Sequence, residues 1–310
     1  MTRELILITL LSTLPTFAAV DIKQGPDKVE VTIDGKPFTT LHYGEATMKP
    51  FLAPIETSTG KIITRRWPME NSVSGSRDHP HHTGLWFTHG DVNGLDFWGN
   101  VKPGPKFGKV VVDKITSAKG GRKSGEISFD AKWVTPDNKP LLKETRRMVF
   151  SSDGANRIID FDSTLTALDQ PVKFGDTKEG FFAIRLSDKL AEKGGTGTMT
   201  NAEGAQKMKN VWGRPSPWVD YSGTLDGEQV GIAIFDGKQN PKHPTTWHSR
   251  DYGLFAANPF GDHDFYNDKS KDGSMTLQPG KSVRFRYRVV IHPGDTTTAK
   301  IADLYKAWKQ

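Results

Sequence analysis

KPLLKETRRMVFSSDGANRIIDFDSTLTAL, residues 139–168, decides the fold class. Two strand-like runs, 139–150 and 156–168, flank the turn-forming string SSDGAN. The unit reads as two strands joined by a turn. The same signature recurs along the chain. KVEVTID (28–34) alternates and turns at Asp34-Gly35 into PFTTLHYG. Further candidate strands cover 61–65, 84–90, 109–118, 125–134, 172–176, 179–187, 218–225, 228–236 and 282–292, with TTWHSR and GLFAAN before the last of these. Only the tail TTTAKIADLYKAWK has helical spacing, with a threonine cap ahead of Ile301, Leu304, Tyr305 and Trp308 on one face. More than a dozen short strands and one terminal helix predict an all-β fold, a large antiparallel β-sandwich with one short C-terminal helix. No repeat of fixed period speaks for a propeller or β-helix. The Gly-rich stretch 192–204 reads as a loop within one domain spanning 20–310.

The first residues read differently. MTRELILITLLSTLPTFAAVD has a polar start with Arg3, an apolar run from Leu5 to Leu14, a break at Pro15 and small residues at Ala18 and Ala19. This is the layout of a secretory signal peptide, residues 1–19, cut after Ala18 or Ala19. The run falls short of the about 20 apolar residues that span a bilayer. The expected location is therefore periplasmic or secreted, with no membrane partner after cleavage.

The chain of 310 residues contains no cysteine, so disulfides, thiolate ligands and a cysteine nucleophile are excluded. Its 42 basic and 36 acidic side chains are interspersed, and no Lys/Arg block marks a nucleic-acid face. No GxSxG string supports a serine hydrolase, and no GxGxxG or Walker loop supports a nucleotide cofactor.

Polar residues concentrate in RDHPHHTGLWFTHGDVNGLDFWG (77–99), which holds four of the nine histidines. In GLWFTHG, strand alternation places Leu85, Phe87 and His89 on one face and Trp86 and Thr88 on the other. His79, His81 and His82 precede that strand in a loop stiffened by Pro80. Two more clusters resemble it: TWHSRDYGLFAANPFGDHDFYN (246–267) and DTKEGFFAIRL (176–186). Aromatic faces suit the C–H surfaces of sugar rings, while His, Arg and Asp suit hydroxyl groups. His79 and His81 beside Asp78 or Asp91 would make a weak metal signal, and no HExxH is present.

The strings MKPFLAPIETSTG (48–60), DHPHHTGLWFTHGDVNGLDFW (78–98) and HSRDYGLFAANPFG (248–261) resemble the PmoA-like family of exported bacterial proteins. The resemblance covers nearly all of the chain after the leader. It implies a galactose-mutarotase-like sandwich that binds sugars on one β face. In mutarotases histidines and a glutamate transfer protons, which implies counterparts among His82, His89, His248 and Glu179. The family label suggests a methane oxygenase subunit, but such a subunit needs several spanning helices.

The reading that results is an exported carbohydrate-active enzyme, a glycoside hydrolase using acid/base catalysis on an oligo- or polysaccharide. The catalytic candidates are His82, His89, Asp91, Glu179, His248 and Asp251. The substrate-binding candidates are His42, Arg66, His79, His81, Trp98, Trp247, Arg250 and Tyr252. No cofactor is expected. The rivals are a non-catalytic carbohydrate-binding protein and a His-ligated metal-dependent enzyme.

Overall fold

The computed structural model describes residues 19–309. Apart from Ala19, the expected leader lies outside them. In chain order the strands begin with β1 (Val20–Gln24), β2 (Lys28–Ile33), β3 (Lys36–His42), β4 (Phe51–Ile55), β5 (Leu85–His89) and β6 (Lys109–Lys119). They continue through β7 (Ser124–Val134), β8 (Pro140–Asp153), β9 (Asn156–Ala167), β10 (Val172–Phe174), β11 (Gly180–Arg185) and β12 (Thr198–Asn201). The last are β13 (Trp218–Leu225), β14 (Glu228–Asp236), β15 (Leu254–Ala257), β16 (Met275–Leu277) and β17 (Ser282–Pro293). Three short helices accompany them: α1 (Met208–Val211), α2 (Asp262–Phe265) and α3 (Ile301–Ala307).

β8 and β9 pair antiparallel from Leu142↔Ala167 to Asp153↔Asn156, closing on the SSDGAN turn. They lie inside an eight-stranded sheet of order β12-β13-β14-β17-β9-β8-β7-β6. A seven-stranded sheet, β1-β2-β3-β4-β5-β11-β15, packs against it. Strand alternation supplies the buried layer: Ile159, Phe161, Ser163, Leu165 and Ala167 are buried and the residues alternating with them are half-buried. Aromatic pairs cross the two sheets, with ring centres 6.2 Å apart for Phe38–Phe150, 5.2 Å for Phe87–Phe161 and 4.4 Å for Phe182–Tyr287. Each such ring contributes roughly 1.5–3 kcal/mol on leaving water. The predicted antiparallel β-sandwich is the observed architecture.

Several local expectations are corrected. KIITR and TTWHSR are not strands; they touch the sheet only through single bridges, Glu56↔Ile62, Thr64↔Leu186 and Trp247↔Ala257. β1, β4, β12 and β16 went unpredicted. The terminal helix is present, but no threonine caps it: Lys300 stands at the N-cap with φ 53° and no side-chain bond. Asp295 caps the preceding turn instead, accepting from the Thr297 and Thr298 amides at 3.1 and 2.8 Å. Ile301 and Trp308 then pack on Trp218, Ala233, Phe235 and Val290, covering part of the eight-stranded sheet.

Candidate functional site

The face of the seven-stranded sheet turned away from the core carries one continuous row. His42 pairs with Phe51, Phe51 with Trp86, Trp86 with Ala183, and Ala183 with Ala256. His248 extends the row through its amide, which donates to Ala256 O at 2.8 Å. Trp86, Trp98, Ala183, Leu254 and Ala256 form a small buried cluster on this face, with Phe51 and Tyr252 against it. Gly84 starts the strand because its φ is +62° and a Cβ there would lie 2.1 Å from Leu52 O.

The histidine loop folds over this floor. The ring of His82 stacks on Trp86 at 5.2 Å and on His79 at 4.8 Å. His79 in turn stacks on Tyr252 at 5.0 Å, so the loop and the 248–252 segment meet. His81 stands edge-on to His82 at 4.4 Å. The loop is pinned from below by charge. Arg65 Nη1 donates to Asp78 Oδ1 at 2.6 Å, and Arg185 Nη2 donates to the same oxygen at 2.8 Å. Both guanidiniums are buried. Burial alone would raise the Asp78 carboxyl, but Arg185, His79 and Arg65 outweigh it and hold it below the usual range.

Hydrogen bonding fixes the tautomers of two histidines. Arg185 Nη1 can only donate, so His82 Nδ1, 3.2 Å away, accepts and the proton sits on Nε2. Trp212 Nε1 likewise donates to His248 Nδ1 at 3.1 Å, leaving Nε2–H on His248. Burial keeps these rings neutral. His248 is pushed down to about 3 by burial and then by Arg250 and Lys178. His81 falls to about 3 through burial and then Lys49. His82 is also driven down, by burial and by His81 and Arg185. Burial holds these three imidazoles in the neutral form, in which each ring offers one N–H donor.

Glu179 stands at the entry to β11, half-buried, its Oε1 3.8 Å from Lys178 Nζ. Burial raises its carboxyl above the ordinary glutamate value; Lys178 and His79 pull it part of the way back. The same carboxylate acts on Tyr252, whose phenol is pushed up to about 12 by burial. Glu179, His79 and Tyr252 thus share one electrostatic neighbourhood, with His248 also acted on by His79 and Lys178.

Other expectations are corrected. His89 ends β5 on the core side, fully buried, where its Nε2 donates to Gly175 O at 2.7 Å among the rings of Phe174, Phe181 and Phe260. Its alternation was read correctly, but that apolar face is the sandwich interior. Trp247 is also a core residue, its Nε1 donating to Ser216 O at 3.0 Å. Trp98 is buried in the floor and presents no open face. Asp91 belongs to a turn, its Oδ1 accepting from Gly94 N at 2.9 Å. Arg66 is exposed and paired with Glu70. Asp251 interacts electrostatically with Tyr221, and its amide donates to Met208 Sδ at 3.4 Å. His42 stacks on Phe51 at 4.9 Å at the far end of the row, its Nε2 donating to Ala53 O.

Sequence reasoning missed Lys49 and Trp212. Lys49 is buried, its Nζ 2.9 Å from Trp98 O and 2.9 Å from Asn100 Oδ1. Burial brings its ammonium down to about 7. A lysine embedded in MKPFLAP was the available signal. Lys49 and His81 line a cavity of about 210 Å³ with Phe51 and Met69. A larger groove, about 760 Å³, runs along Arg65, Arg66, Lys61 and Lys189. Arg65 links it to the histidine loop, but neither Glu179 nor any histidine of that loop lines it. Among the described residues no group of three or more His, Cys, Asp or Glu is placed to hold a metal ion. No described helix is long and apolar enough to cross a membrane.

Comparison with solved structures returns distant likenesses. A GH36 alpha-galactosidase from Geobacillus stearothermophilus is 8% identical with a TM-score of 0.46, over 90% of this chain and 42% of its own. An alpha-galactosidase from Lactobacillus brevis is 7% identical with a TM-score of 0.47, over 93% and 41%. A galactose mutarotase-like protein from Lactobacillus casei is 8% identical with a TM-score of 0.37, over 88% and 100%. The chain spans about two fifths of the length of the two alpha-galactosidases. No curated protein matches. A family model matches residues 28–306, and the chain belongs to that family, DUF6807, a family of unknown function.

Proposed function

We propose that this protein is an exported carbohydrate-active enzyme, a glycoside hydrolase working by acid/base catalysis on the outer face of the seven-stranded sheet. The PmoA-like affiliation and the export are part of this reading and rest on the strings and the leader pattern of the sequence. The observation that carries it is the half-buried Glu179, its carboxyl raised by burial, in the same electrostatic neighbourhood as Tyr252 and the Asp78–His79 pair.

Glu179 is the acid. Its raised carboxyl retains a proton to higher pH than an exposed glutamate, which suits protonation of a leaving oxygen. His79 is the base. Its Nδ1 lies 3.1 Å from Asp78 Oδ2, so the aspartate orients the ring and leaves Nε2 to accept a proton. His248 supplies an Nε2–H donor for a sugar hydroxyl, and Tyr252 supplies an aromatic wall. A screen of plant, algal and bacterial polysaccharides for released reducing ends tests the reading. Release by the wild type and not by a Glu179→Gln variant supports it.

A second reading, a non-catalytic carbohydrate-binding protein, draws on one observation. Asp78 is held by two arginines, and Asp264, which shares Lys178 with Glu179, already accepts from the Lys178 amide at 3.0 Å, so both carboxylates that could partner Glu179 are engaged. Tight glycan binding by the wild type with no product formed favours that reading.

A further inference from the structure

The polar atoms around the site are unbalanced. Buried side-chain atoms without a hydrogen-bond partner include Trp86 Nε1, Trp98 Nε1, His82 Nε2, Arg65 Nε, Arg185 Nε and Arg250 Nε. All six are donors, His82 because its Nδ1 is committed to Arg185. The residues form a connected set. Trp86 and Trp98 are 4.9 Å apart, His82 lies 5.9 Å from Trp98, and Arg185 Cζ sits 4.7 Å over the Tyr252 ring. Arg250 Cζ lies 5.9 Å from the same ring and 6.0 Å from Trp212. A buried donor left unmatched costs about 1–3 kcal/mol, and these atoms make the layer beneath the loop rich in N–H donors.

Formal charge points the same way. Arg65 and Arg185 share the single carboxylate of Asp78. Among the described residues Arg250 has no carboxylate within ion-pair distance. Lys178 is the one cation here with acidic neighbours to spare, Glu179 and Asp264. Arg250 is thus the guanidinium of this site that no carboxylate claims, and a guanidinium close to two aromatic rings recognises a planar carboxylate well.

We propose that the sugar bound at this site carries a carboxylate, a uronic acid residue within an oligo- or polysaccharide, with Arg250 as its recognition group. This rests on the carbohydrate reading above and names its substrate class. The rings of Trp212 and Tyr252 lie 6.0 and 5.9 Å from the Arg250 guanidinium carbon.

The test is calorimetric binding of the full protein, carrying Glu179→Gln to prevent turnover, to matched pairs of glycans. Each pair is an oligouronate and the same oligosaccharide after its carboxyls are reduced to hydroxymethyl groups, so that linkage and length are unchanged. The expected result is at least one oligouronate bound 10-fold or more tighter than its reduced partner, with the advantage falling as salt rises. Arg250→Gln should shrink that advantage, while Arg250→Lys keeps part of it. Equal or tighter binding of the reduced, neutral partner overturns the uronate proposal and leaves the carbohydrate reading standing. Failure of both members of every pair, and of neutral plant and algal oligosaccharides, overturns both. The paired comparison needs no Arg250 variant, so a variant that does not fold does not rescue the proposal.

Discussion

Arg185 Nη1 donates to His82 Nδ1 across 3.2 Å, while Nη2 of the same guanidinium donates to Asp78 Oδ1 across 2.8 Å. One fully buried side chain on β11 thereby sets the tautomer of a histidine and anchors the loop that carries it. The sheet residue acts as a template and the loop as the working surface.

Arg185→Met should therefore loosen the histidine loop without dismantling the sandwich. Breaking a fully buried pair costs about 3–5 kcal/mol. Asp78 is 39% exposed and keeps Arg65, so solvent screening brings the expected cost down to about 2 kcal/mol. Urea unfolding should show a lower midpoint with an unchanged slope. An unaltered midpoint contradicts the anchoring role.

His89 should matter for stability rather than for chemistry. Burial lowers its pKa to about 4 from 6.5, opposed by its bond to Gly175 and by Asp91 and Asp176. The unfolded chain then binds more protons than the folded one between those values, so stability falls as pH drops through that window. The expected loss is roughly 3 kcal/mol across the window. His89→Gln should flatten this part of the stability–pH curve while leaving glycan binding near the wild-type level. A His89→Gln protein that is equally stable but unable to bind would contradict the core placement.

Lys49 predicts an effect at the other end of the scale. Its ammonium is brought down to about 7 from 10.5 by burial, with Asp96 opposing. Between those values the unfolded state holds the proton that the folded state has lost, so this lysine makes stability rise with pH over that range. Lys49→Met should remove the slope. Chemical denaturation of both proteins at pH 7 and pH 10 measures it, and parallel curves would show that Lys49 stays charged in the folded state.

Much of the architecture is legible in the sequence because a two-residue period survives even where the chemistry is unusual. In β8 the alternation holds through Glu144 and Arg146, although both point inward and are buried. Glu144 Oε1 takes Arg146 Nε at 2.7 Å and Ser163 Oγ at 2.7 Å, and Oε2 takes Trp133 Nε1 at 2.8 Å. The short strands β12 and β16 escape notice because four or three residues hold no period, and KIITR shows the converse error. The site was legible only in outline. Sequence proximity grouped His89 with His79, His81 and His82, but strand pleating sends His89 to the opposite face. Trp98 and Trp247 share the composition of a sugar platform, yet burial assigns them to floor and core. Lys49, Arg185 and Trp212 joined the cluster through pairings between strands and segments far apart in the chain, which no local string records.

The account stands most directly on Glu179. The decisive measurement is product release from the polysaccharide that the wild type degrades, compared with Glu179→Gln at equal concentration and with folding and glycan affinity checked in parallel. The account predicts a loss of about 10²–10⁴-fold in turnover, with affinity and thermal stability close to wild type. A Glu179→Gln protein that turns over at the wild-type rate would contradict it.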